Sequence, residues 1–173
     1  MEKLKNANVL SLEGIQQTPV EELAELVHSS GYFNVKARKL KAMAQHVYDH
    51  HGGDLSAMLG QPWEALRVEL LSVYGIGEET ADDIVLYAAC APSFVSDAYT
   101  KRIIDRLGIP PKQGRYEDYR ALFMRALEAD VLRFNEFHAL IVKLGGDVCR
   151  KSKPLCQECP LIEICITGAR EAS

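Results

Sequence analysis

The sequence predicts an all-α fold, and three features of its pattern lead to this prediction. Apolar residues recur at the three- and four-residue spacing of amphipathic helices in most segments between residues 18 and 144. Glycine, proline and asparagine stand between these segments, at the places where helices begin or end. No segment shows the strict alternation of apolar and polar residues that is typical of a half-buried strand.

Two helices are expected between residues 18 and 51. The segment Thr18–Glu21 has the pattern of a capping box with proline at the first helical position, and Gly31 ends the helix that it opens. Asn34 is expected to cap the second helix, which then continues over several turns. Three histidines near the end of that helix match no familiar metal-binding spacing, so we interpret them as a solvated helix end. They are His46, His50 and His51.

A basic cluster lies in the second of these helices, and two shorter helices follow it. The cluster could contact a nucleic-acid backbone or form a solvated face. It consists of Lys36, Arg38, Lys39 and Lys41.

Asp54 is expected to cap a short helix, and Pro62 to open another that reaches about Leu71. The only tryptophan, Trp63, lies in the latter helix, where we expect it to pack in the core.

A tight turn and an acidic helix start follow at residues 75–80. Gly75 and Gly77 permit positive φ angles and leave no Cβ in the way of an approaching backbone. A helix that begins just after them directs free N–H groups outward, which favours an anion. An ordinary corner between two helices is the alternative interpretation of this turn.

The second half of the chain is expected to form three longer helices. Asp97 precedes the first of them, where it could serve as a helix cap, and that helix ends near Gly108. The next two are expected at 116–129 and 131–144, and the dipeptide 145–146, Gly-Gly, should stop the last one.

Four cysteines close together near the C-terminus indicate a soft-metal centre. Their spacing is C-x6-C-x2-C-x5-C, and the ligands would be Cys149, Cys156, Cys159 and Cys165. Four thiolates suit either a structural zinc ion or an iron–sulfur cluster, and the presence of only one close pair favours the cluster. The remaining cysteine, Cys90, is expected to be a small buried apolar residue.

The turn at residues 75–80 and its flanks resemble the helix-hairpin-helix of the endonuclease III superfamily of DNA glycosylases. The matching stretch, which starts at Leu70, reads L-x-x-V-Y-G-I-G-x-x-T-A-D-x-I. The resemblance implies that backbone amides of the hairpin grip a DNA phosphate. The DNA-binding residues would then be Gly75, Ile76, Gly77 and Thr80. It also implies a catalytic aspartate, here Asp97, although one extra residue separates it from Val95 in comparison with the family's V-D-x-x-x-x-R pattern.

Glu79 occupies the position at which bifunctional members of this superfamily carry a lysine that forms a Schiff base with the sugar. The spacing between Glu79 and Asp97 is that of the family. Lys101, one turn beyond Asp97, is a less favourable candidate for such an amine. The resemblance therefore implies a monofunctional hydrolase, nearest to the 3-methyladenine glycosylase branch. It would flip an alkylated base out of double-stranded DNA and hydrolyse its N-glycosidic bond.

The same superfamily binds a four-iron four-sulfur cluster through this cysteine spacing, so the resemblance implies that cofactor at residues 149–165. The loop between the first two ligands would present Arg150, Lys151 and Lys153 to DNA phosphates. The cluster would then have a structural, DNA-facing role rather than a redox role in base removal.

The resemblance also implies two helical domains. Residues 1–92 would form a helical-barrel domain with the hairpin at about 66–89, and residues 93–173 a helical domain that ends in the cluster loop. Family members have further helices before the point where this sequence begins, and one of them fills the space that the flipped base leaves. We expect this chain to lack those helices and its barrel to be incomplete at the N-terminus.

Two other functions remain open at this point. One is an endonuclease III-type bifunctional glycosylase and abasic-site lyase that acts on oxidised pyrimidines. The other is a non-catalytic, DNA-binding remnant. The net charge of −4 argues mildly against a general nucleic-acid binder, and no apolar stretch approaches the roughly 18 residues of a membrane span. We expect a monomer in the cytoplasm, associated with the nucleoid if the source is a prokaryote.

Overall fold

The computed structural model describes residues 2–171, and within that range it contains helices and turns but no strand. The all-α fold class is therefore confirmed. The α-helices, in chain order, are α1 (Glu2–Asn6), α2 (Leu12–Gln17), α3 (Val20–Leu26), α4 (Phe33–His51), α5 (Leu55–Leu59), α6 (Trp63–Ser72), α7 (Glu78–Asp83), α8 (Ala98–Leu107), α9 (Tyr116–Ala126), α10 (Val131–Asp147) and α11 (Ile166–Glu171). A π-helical turn at Ile84–Ala88 continues α7. None of the helices in the described range is both long enough and apolar enough to span a membrane.

The chain forms two compact units, Met1–Gly77 and Glu78–Ser173. The division lies within the expected hairpin rather than after residue 92, because α7 packs against α9 of the second unit. The assignment of two functional domains made from the sequence stays a prediction. Its outermost residues, 1, 172 and 173, lie outside the described part of the chain.

Helix α4 is the centre of the first unit, where it packs against α2 and α3. The buried residues of this core are Leu4, Val9, Leu23, Ala24 and Ala37. Asp54 caps α5 as expected, because its Oδ1 accepts hydrogen bonds from two backbone N–H groups at 2.9 and 3.0 Å. Trp63, the first residue of α6, is only half-buried.

Two helix starts in the first unit differ from those expected. Thr18 does not cap α3. Its hydroxyl donates instead to the carbonyl of Gly14 at 2.7 Å, which closes the end of α2, and Pro19 takes the N-cap position. Asn34 lies inside α4, whose N-cap is Tyr32 in the left-handed conformation with a φ of 47°. In both places a short helical turn precedes the helix, and its backbone geometry decides where the next helix begins.

Phe94 is the centre of the core of the second unit. Its fully buried ring stacks on Phe123 with 4.0 Å between ring centroids and meets the edge of Phe134 at 5.6 Å. Val95 beside it is also fully buried. Because this pair lies just before Asp97, the core fixes the segment that leads into α8.

Two expectations about the second unit are wrong. Cys90 is exposed rather than buried, since it lies with a φ of 52° in the turn after the π-helical segment. Helix α10 does not stop at Gly145 and Gly146 but continues to Asp147. The ring of Tyr99 packs against Gly145, where an added Cβ would lie 2.9 Å from two carbon atoms of that side chain. The glycine is therefore a packing position inside the helix and not a stop signal.

Replacement of Gly145 by alanine is expected to destabilise the second unit. The added Cβ would press on the Tyr99 side chain within a close contact. We expect the free energy of unfolding to fall by about 1–3 kcal/mol, a typical cost of overpacking. Urea denaturation followed by circular dichroism measures this change.

Gly146→Ala is the matched control, one residue further along the same helix. No atom lies within 4 Å of the position that its Cβ would occupy. This variant should keep the wild-type stability or gain up to about 1 kcal/mol, because alanine favours a helix more than glycine does. Equal stabilities of the two variants would contradict the close packing of Tyr99 on α10.

Candidate functional site

Asp97 is the N-cap of α8 and offers one oxygen that the cap does not use. Its Oδ1 accepts hydrogen bonds from the backbone N–H and the hydroxyl of Thr100, at 2.8 and 2.9 Å. Its Oδ2 lies 3.7 Å from Nε2 of His138 in α10. The Asp97 side chain is 13% exposed, so a ligand can still reach it. The residue combines the capping role with a carboxylate oxygen that is available for chemistry.

His138 holds a position that the sequence did not reveal. Its Nδ1 lies 2.6 Å from the hydroxyl of Tyr87, which orients the ring. Its Nε2 is buried and has no hydrogen-bond partner within residues 2–171. At 3.7 Å from Asp97 Oδ2 the contact is an ion pair whenever the imidazole is protonated, and it is too long for a hydrogen bond.

The surroundings of Asp97 favour its ionised form. Burial alone would raise the pKa of this carboxyl group, but His138 and the two hydrogen bonds from Thr100 outweigh burial and lower the pKa below its ordinary value. The carboxylate is therefore negatively charged at neutral pH.

Two further carboxylates, Glu79 and Asp83, share the electrostatic environment of Asp97. Burial raises the pKa of Glu79, and the negative charges of Asp97 and Asp83 raise it further. Burial likewise raises the pKa of Asp83, with Asp97 as one of the contributing charges, although His138 acts in the opposite direction. The lysine position of bifunctional enzymes thus holds an acidic side chain that interacts with Asp97.

A buried polar network holds the segment that leads to Asp97. Arg120 of α9 forms an ion pair with Asp82 of α7, with 3.3 Å between Nε and Oδ1. It also donates from Nη2 to the hydroxyl of Ser93 at 2.9 Å, and that hydroxyl donates in turn to Asp82 Oδ1. The hydroxyl of Tyr116 donates to the other oxygen of Asp82 at 2.9 Å and accepts the backbone N–H of Ser96 at 3.2 Å. The network therefore holds both ends of the segment 93–96.

The residues of the predicted hairpin belong to both units, and each part is described by itself. In the first unit, Gly75 has a φ of 83°, and the side chain of Lys39 covers it, with Cδ and Cε 2.8 Å from the position of an added Cβ. A larger residue would not fit there. Ile76 donates its backbone N–H to Val73 at 3.1 Å, whereas Gly77 has open space around it. In the second unit, Thr80 lies exposed in the first turn of α7.

Lys101 is a poor candidate for a nucleophilic amine. Its Nζ donates to the hydroxyl of Tyr119 at 2.7 Å and lies 3.4 Å from Asp105 Oδ2. The hydrogen bond to Tyr119 and the charge of Asp105 raise the pKa of Lys101 above its ordinary value. An amine must be deprotonated to attack a sugar, so these contacts oppose that role.

The four cysteines of the C-x6-C-x2-C-x5-C motif line one cavity of about 300 Å³, part of which is open to solvent. Nη1 of Arg106 lies 3.2 Å from Sγ of Cys149, and the backbone N–H of Gly168 lies 3.3 Å from Sγ of Cys165. N–H groups directed at sulfur are the kind of neighbour that orients a metal-bound thiolate. The donor set and its surroundings therefore fit a thiolate-bound metal centre.

The loop after Cys149 carries the three predicted DNA-binding cations on its surface. Arg150, Lys151 and Lys153 are all exposed. Arg106 donates to the carbonyl groups of Arg150 and Lys151 at 2.7 and 3.1 Å, which ties the backbone of the loop to α8. The charged ends of these side chains can extend into solvent while the backbone of the loop stays in place.

Sequence reasoning missed several of the residues that the structure brings together. His138 and Asp83 carry no recognisable motif, and their proximity to Asp97 depends on the packing of α10 and α7 in the second unit. Three histidines near the end of α4 were interpreted as a solvated helix end. That interpretation is wrong for His46 and His51, which both contact Glu69 of α6, whereas His50 is exposed as expected.

Comparison with protein families gives a match over residues 1–129 to the model described as HhH-GPD superfamily base excision DNA repair protein. A protein of Methanocaldococcus jannaschii that bears the name of a DNA repair glycosylase is 38% identical over 165 residues, which are 95% of this chain and 74% of that protein. Endonuclease III of Sulfolobus acidocaldarius is 26% identical, and the match covers 87% of this chain and 65% of the relative. The chain thus spans less than the full length of these relatives.

Two solved structures are similar in fold. A non-covalent complex of endonuclease III with DNA matches 94% of this chain and 72% of the other, with a TM-score of 0.80 and 23% identity. A complex of the H. pylori 3-methyladenine DNA glycosylase with 1,N6-ethenoadenine matches 83% of this chain and 73% of the other, with a TM-score of 0.68 and 26% identity. The first similarity concerns the fold alone.

Removal of the buried guanidinium of Arg120 should destabilise the second unit more than removal of a guanidinium from a surface ion pair. Arg120→Met would leave the fully buried Asp82 without its cation, and we expect a loss of about 3–5 kcal/mol in the free energy of unfolding. Chemical denaturation measures the change.

Arg115→Met provides the comparison. Arg115 pairs with Asp118 at 3.1 Å, but its side chain is 68% exposed, so solvent screens the pair and the loss should be far smaller than that of Arg120→Met. Similar losses in the two variants would show that the buried network does not hold the segment before Asp97.

Proposed function

The chain belongs to the HhH-GPD superfamily of base excision DNA repair proteins, and from this premise we propose that it hydrolyses the N-glycosidic bond of a damaged base in double-stranded DNA. The observation that carries this proposal is the half-buried carboxylate of Asp97, which is held ionised by Thr100 and His138 and keeps one oxygen outside the helix cap. Membership of this superfamily and the position of this carboxylate together support the proposed activity.

Cleavage of the N-glycosidic bond requires a negative charge near the sugar, and in this proposal Asp97 supplies it. As the base departs, the sugar develops positive charge in an oxocarbenium-like transition state. A carboxylate that is already ionised and fixed by its own hydrogen bonds stabilises that charge without reorganisation. In this proposal Oδ2 of Asp97 faces the sugar or orients the attacking water, and His138 is a positioning residue that acts through Asp97.

The absence of an amine at residue 79 supports a monofunctional enzyme. Glu79 has no nitrogen with which to form a Schiff base, and Lys101 is bound to Tyr119. The enzyme would then release the base and leave an intact abasic strand. A bifunctional endonuclease III-type enzyme, which needs an amine in reach of the sugar, is the alternative that trapping experiments test.

The acidic environment of Asp97 supports an alkylated, positively charged base as the substrate. Glu79 and Asp83 add negative charge near Asp97, and charge of this sign attracts a cation. The ring of Tyr87 is 44% exposed beside His138 and could stack on such a base. The similarity to the 3-methyladenine DNA glycosylase agrees with this substrate class. Oxidised pyrimidines are the alternative.

We assign a four-iron four-sulfur cluster to the cavity that the four cysteines line, with Cys149, Cys156, Cys159 and Cys165 as ligands. When bound, the cluster would supply a cross-link to a segment that has few apolar residues to bury. The exposed cations at 150–153 would then contact DNA phosphates from a fixed loop. In the first unit, the backbone amides of the turn at Gly75 and Gly77 would contact a DNA phosphate, whereas the N–H of Ile76 is already bound to the carbonyl of Val73. In the second unit, Thr80 would contact DNA from the start of α7.

Base release from alkylated DNA tests the proposed function directly. The protein, purified without oxygen, is incubated with duplex DNA that contains one alkylated adenine, and abasic sites are scored as strand breaks with and without alkali. We expect breaks only after alkali, and a loss of at least about 100-fold in rate for Asp97→Asn, because the variant lacks the charge that stabilises the transition state.

Two controls make the outcome decisive. Asp105→Asn changes an aspartate of the same helix that pairs with Lys101, and it should keep the wild-type rate. Duplexes with an oxidised pyrimidine, treated in parallel with borohydride, would yield a covalent protein–DNA adduct if the enzyme were a lyase. Such an adduct overturns the monofunctional assignment. Unchanged base release by Asp97→Asn overturns the role of Asp97, and no release from any duplex by the folded protein favours the non-catalytic remnant.

Loss of one ligand tests the proposed cluster. Cys159→Ser is expected to lack the broad visible absorption of a four-iron four-sulfur cluster and the matching iron and sulfide content, because three thiolates hold such a cluster less stably than four. Cys90→Ser is the control, since Cys90 is exposed and outside the cysteine cavity. Zinc without iron in the wild-type protein, lost in Cys159→Ser and kept in Cys90→Ser, would replace the cluster by a zinc site.

A further inference from the structure

Two histidines of the first unit converge on one carboxylate oxygen. His46 and His51, both in the last part of α4, place their Nε2 atoms 2.7 and 2.6 Å from Oε1 of Glu69 in α6. The exposed fractions of the three side chains are only 11%, 18% and 20%, in the same order. None of these residues belongs to the catalytic or cysteine sites described above, so the cluster requires its own explanation.

We propose that His46, His51 and Glu69 form a binding site for a divalent transition-metal ion of the zinc class. The two imidazole nitrogens and the carboxylate oxygen lie within 4.8 Å of one another. Two histidines and one glutamate are a known donor set for zinc, in which a water molecule occupies the fourth position. Imidazole also suits copper and nickel, so the donor set selects a class of ions rather than one element.

Neighbouring side chains already fix the orientation of the ligands. Gln61 donates from Nε2 to the other oxygen of Glu69 at 2.6 Å and to the carbonyl of Met58 at 3.0 Å. The ring of His50 stacks on His46 with 4.1 Å between centroids. Contacts of this kind around the ligands are typical of metal sites, because they hold the ligand atoms in the direction of the ion.

The geometry needs only a small adjustment to accept an ion. Zinc bonds of about 2.0–2.1 Å in a tetrahedral arrangement place ligand atoms about 3.3 Å apart. The two nitrogen–oxygen distances are 2.7 and 2.6 Å, so side-chain rotations must widen each by less than about 1 Å. The two imidazole nitrogens, which lie within 4.8 Å of each other, must also reach that separation. Without an ion, both imidazoles can donate an N–H to Glu69, and this hydrogen-bonded pair is the competing interpretation.

Cobalt titration of the full chain distinguishes these interpretations, because the absorption of Co²⁺ reports its ligands. The titrated protein is the full chain with its cysteines occupied by the cluster, and the cobalt spectrum is recorded as the difference from the same protein without cobalt, so that neither free thiolates nor the cluster absorption interferes. We expect one Co²⁺ per chain with weak visible bands, no intense thiolate-to-metal band, and displacement by Zn²⁺. His51→Gln and Glu69→Gln should each weaken the binding at least ten-fold. The double variant Cys149→Ser and Cys159→Ser should retain these bands, since it removes only thiolate ligands.

His28→Gln is the matched control, because His28 is an exposed histidine of the same unit that contacts the ring of Phe33 and lies outside the cluster. It should bind Co²⁺ as the wild type does. Equal affinities of wild type and His51→Gln, or a Co²⁺ spectrum that requires the cysteines, would overturn the proposal. Circular dichroism establishes that the variants fold. If one does not, the wild-type spectrum decides alone, since thiolate bands or no binding would overturn the proposal.

Discussion

The buried ion pair between Asp82 and Arg120 is the constraint on which the second unit depends. The Asp82 side chain is fully buried and that of Arg120 is 8% exposed, so neither charge can be left without a partner. Ser93 joins the pair through two hydrogen bonds. One polar cluster therefore connects α7, the segment before α8, and α9. The position of Asp97 follows from this connection, because the chain leaves the cluster only a few residues before the N-cap of α8.

Asp97 shows how one side chain can have a structural and a chemical role without conflict. The cap uses Oδ1, which accepts both hydrogen bonds from Thr100, while Oδ2 faces His138. The N-terminus of α8 and the imidazole both favour a negative charge at this place. The contacts that stabilise the helix start are thus the same contacts that keep the carboxylate ionised, which the proposed stabilisation of a positive sugar requires.

Positive and negative side chains lie in different parts of the second unit, and the net charge of the chain does not show this distribution. The net charge of −4 alone gives no hint of a DNA-binding protein. In the second unit the acidic residues Glu79, Asp83 and Asp97 interact with one another, whereas the loop at 150–153 carries three exposed cations. A cationic base and an anionic backbone would then each meet charge of the opposite sign.

The sequence by itself determined the helical fold class, the cap formed by Asp54, the end of α8 at Gly108, and the family, because these depend on local periodicity, capping and short motifs. Where the local structure depends on a residue distant in the sequence, the same reasoning gave a wrong prediction or none. Gly145 was predicted to stop a helix, whereas in the structure it lies inside α10 because the ring of Tyr99 packs against it.

Only the tertiary structure brought His138 to Asp97 and set His46 and His51 against Glu69. The physical reason is that these contacts join side chains far apart in the chain, and their distances depend on how the helices pack. Local sequence determines where a helix begins and which face is apolar. Packing between helices determines which polar groups on those faces meet.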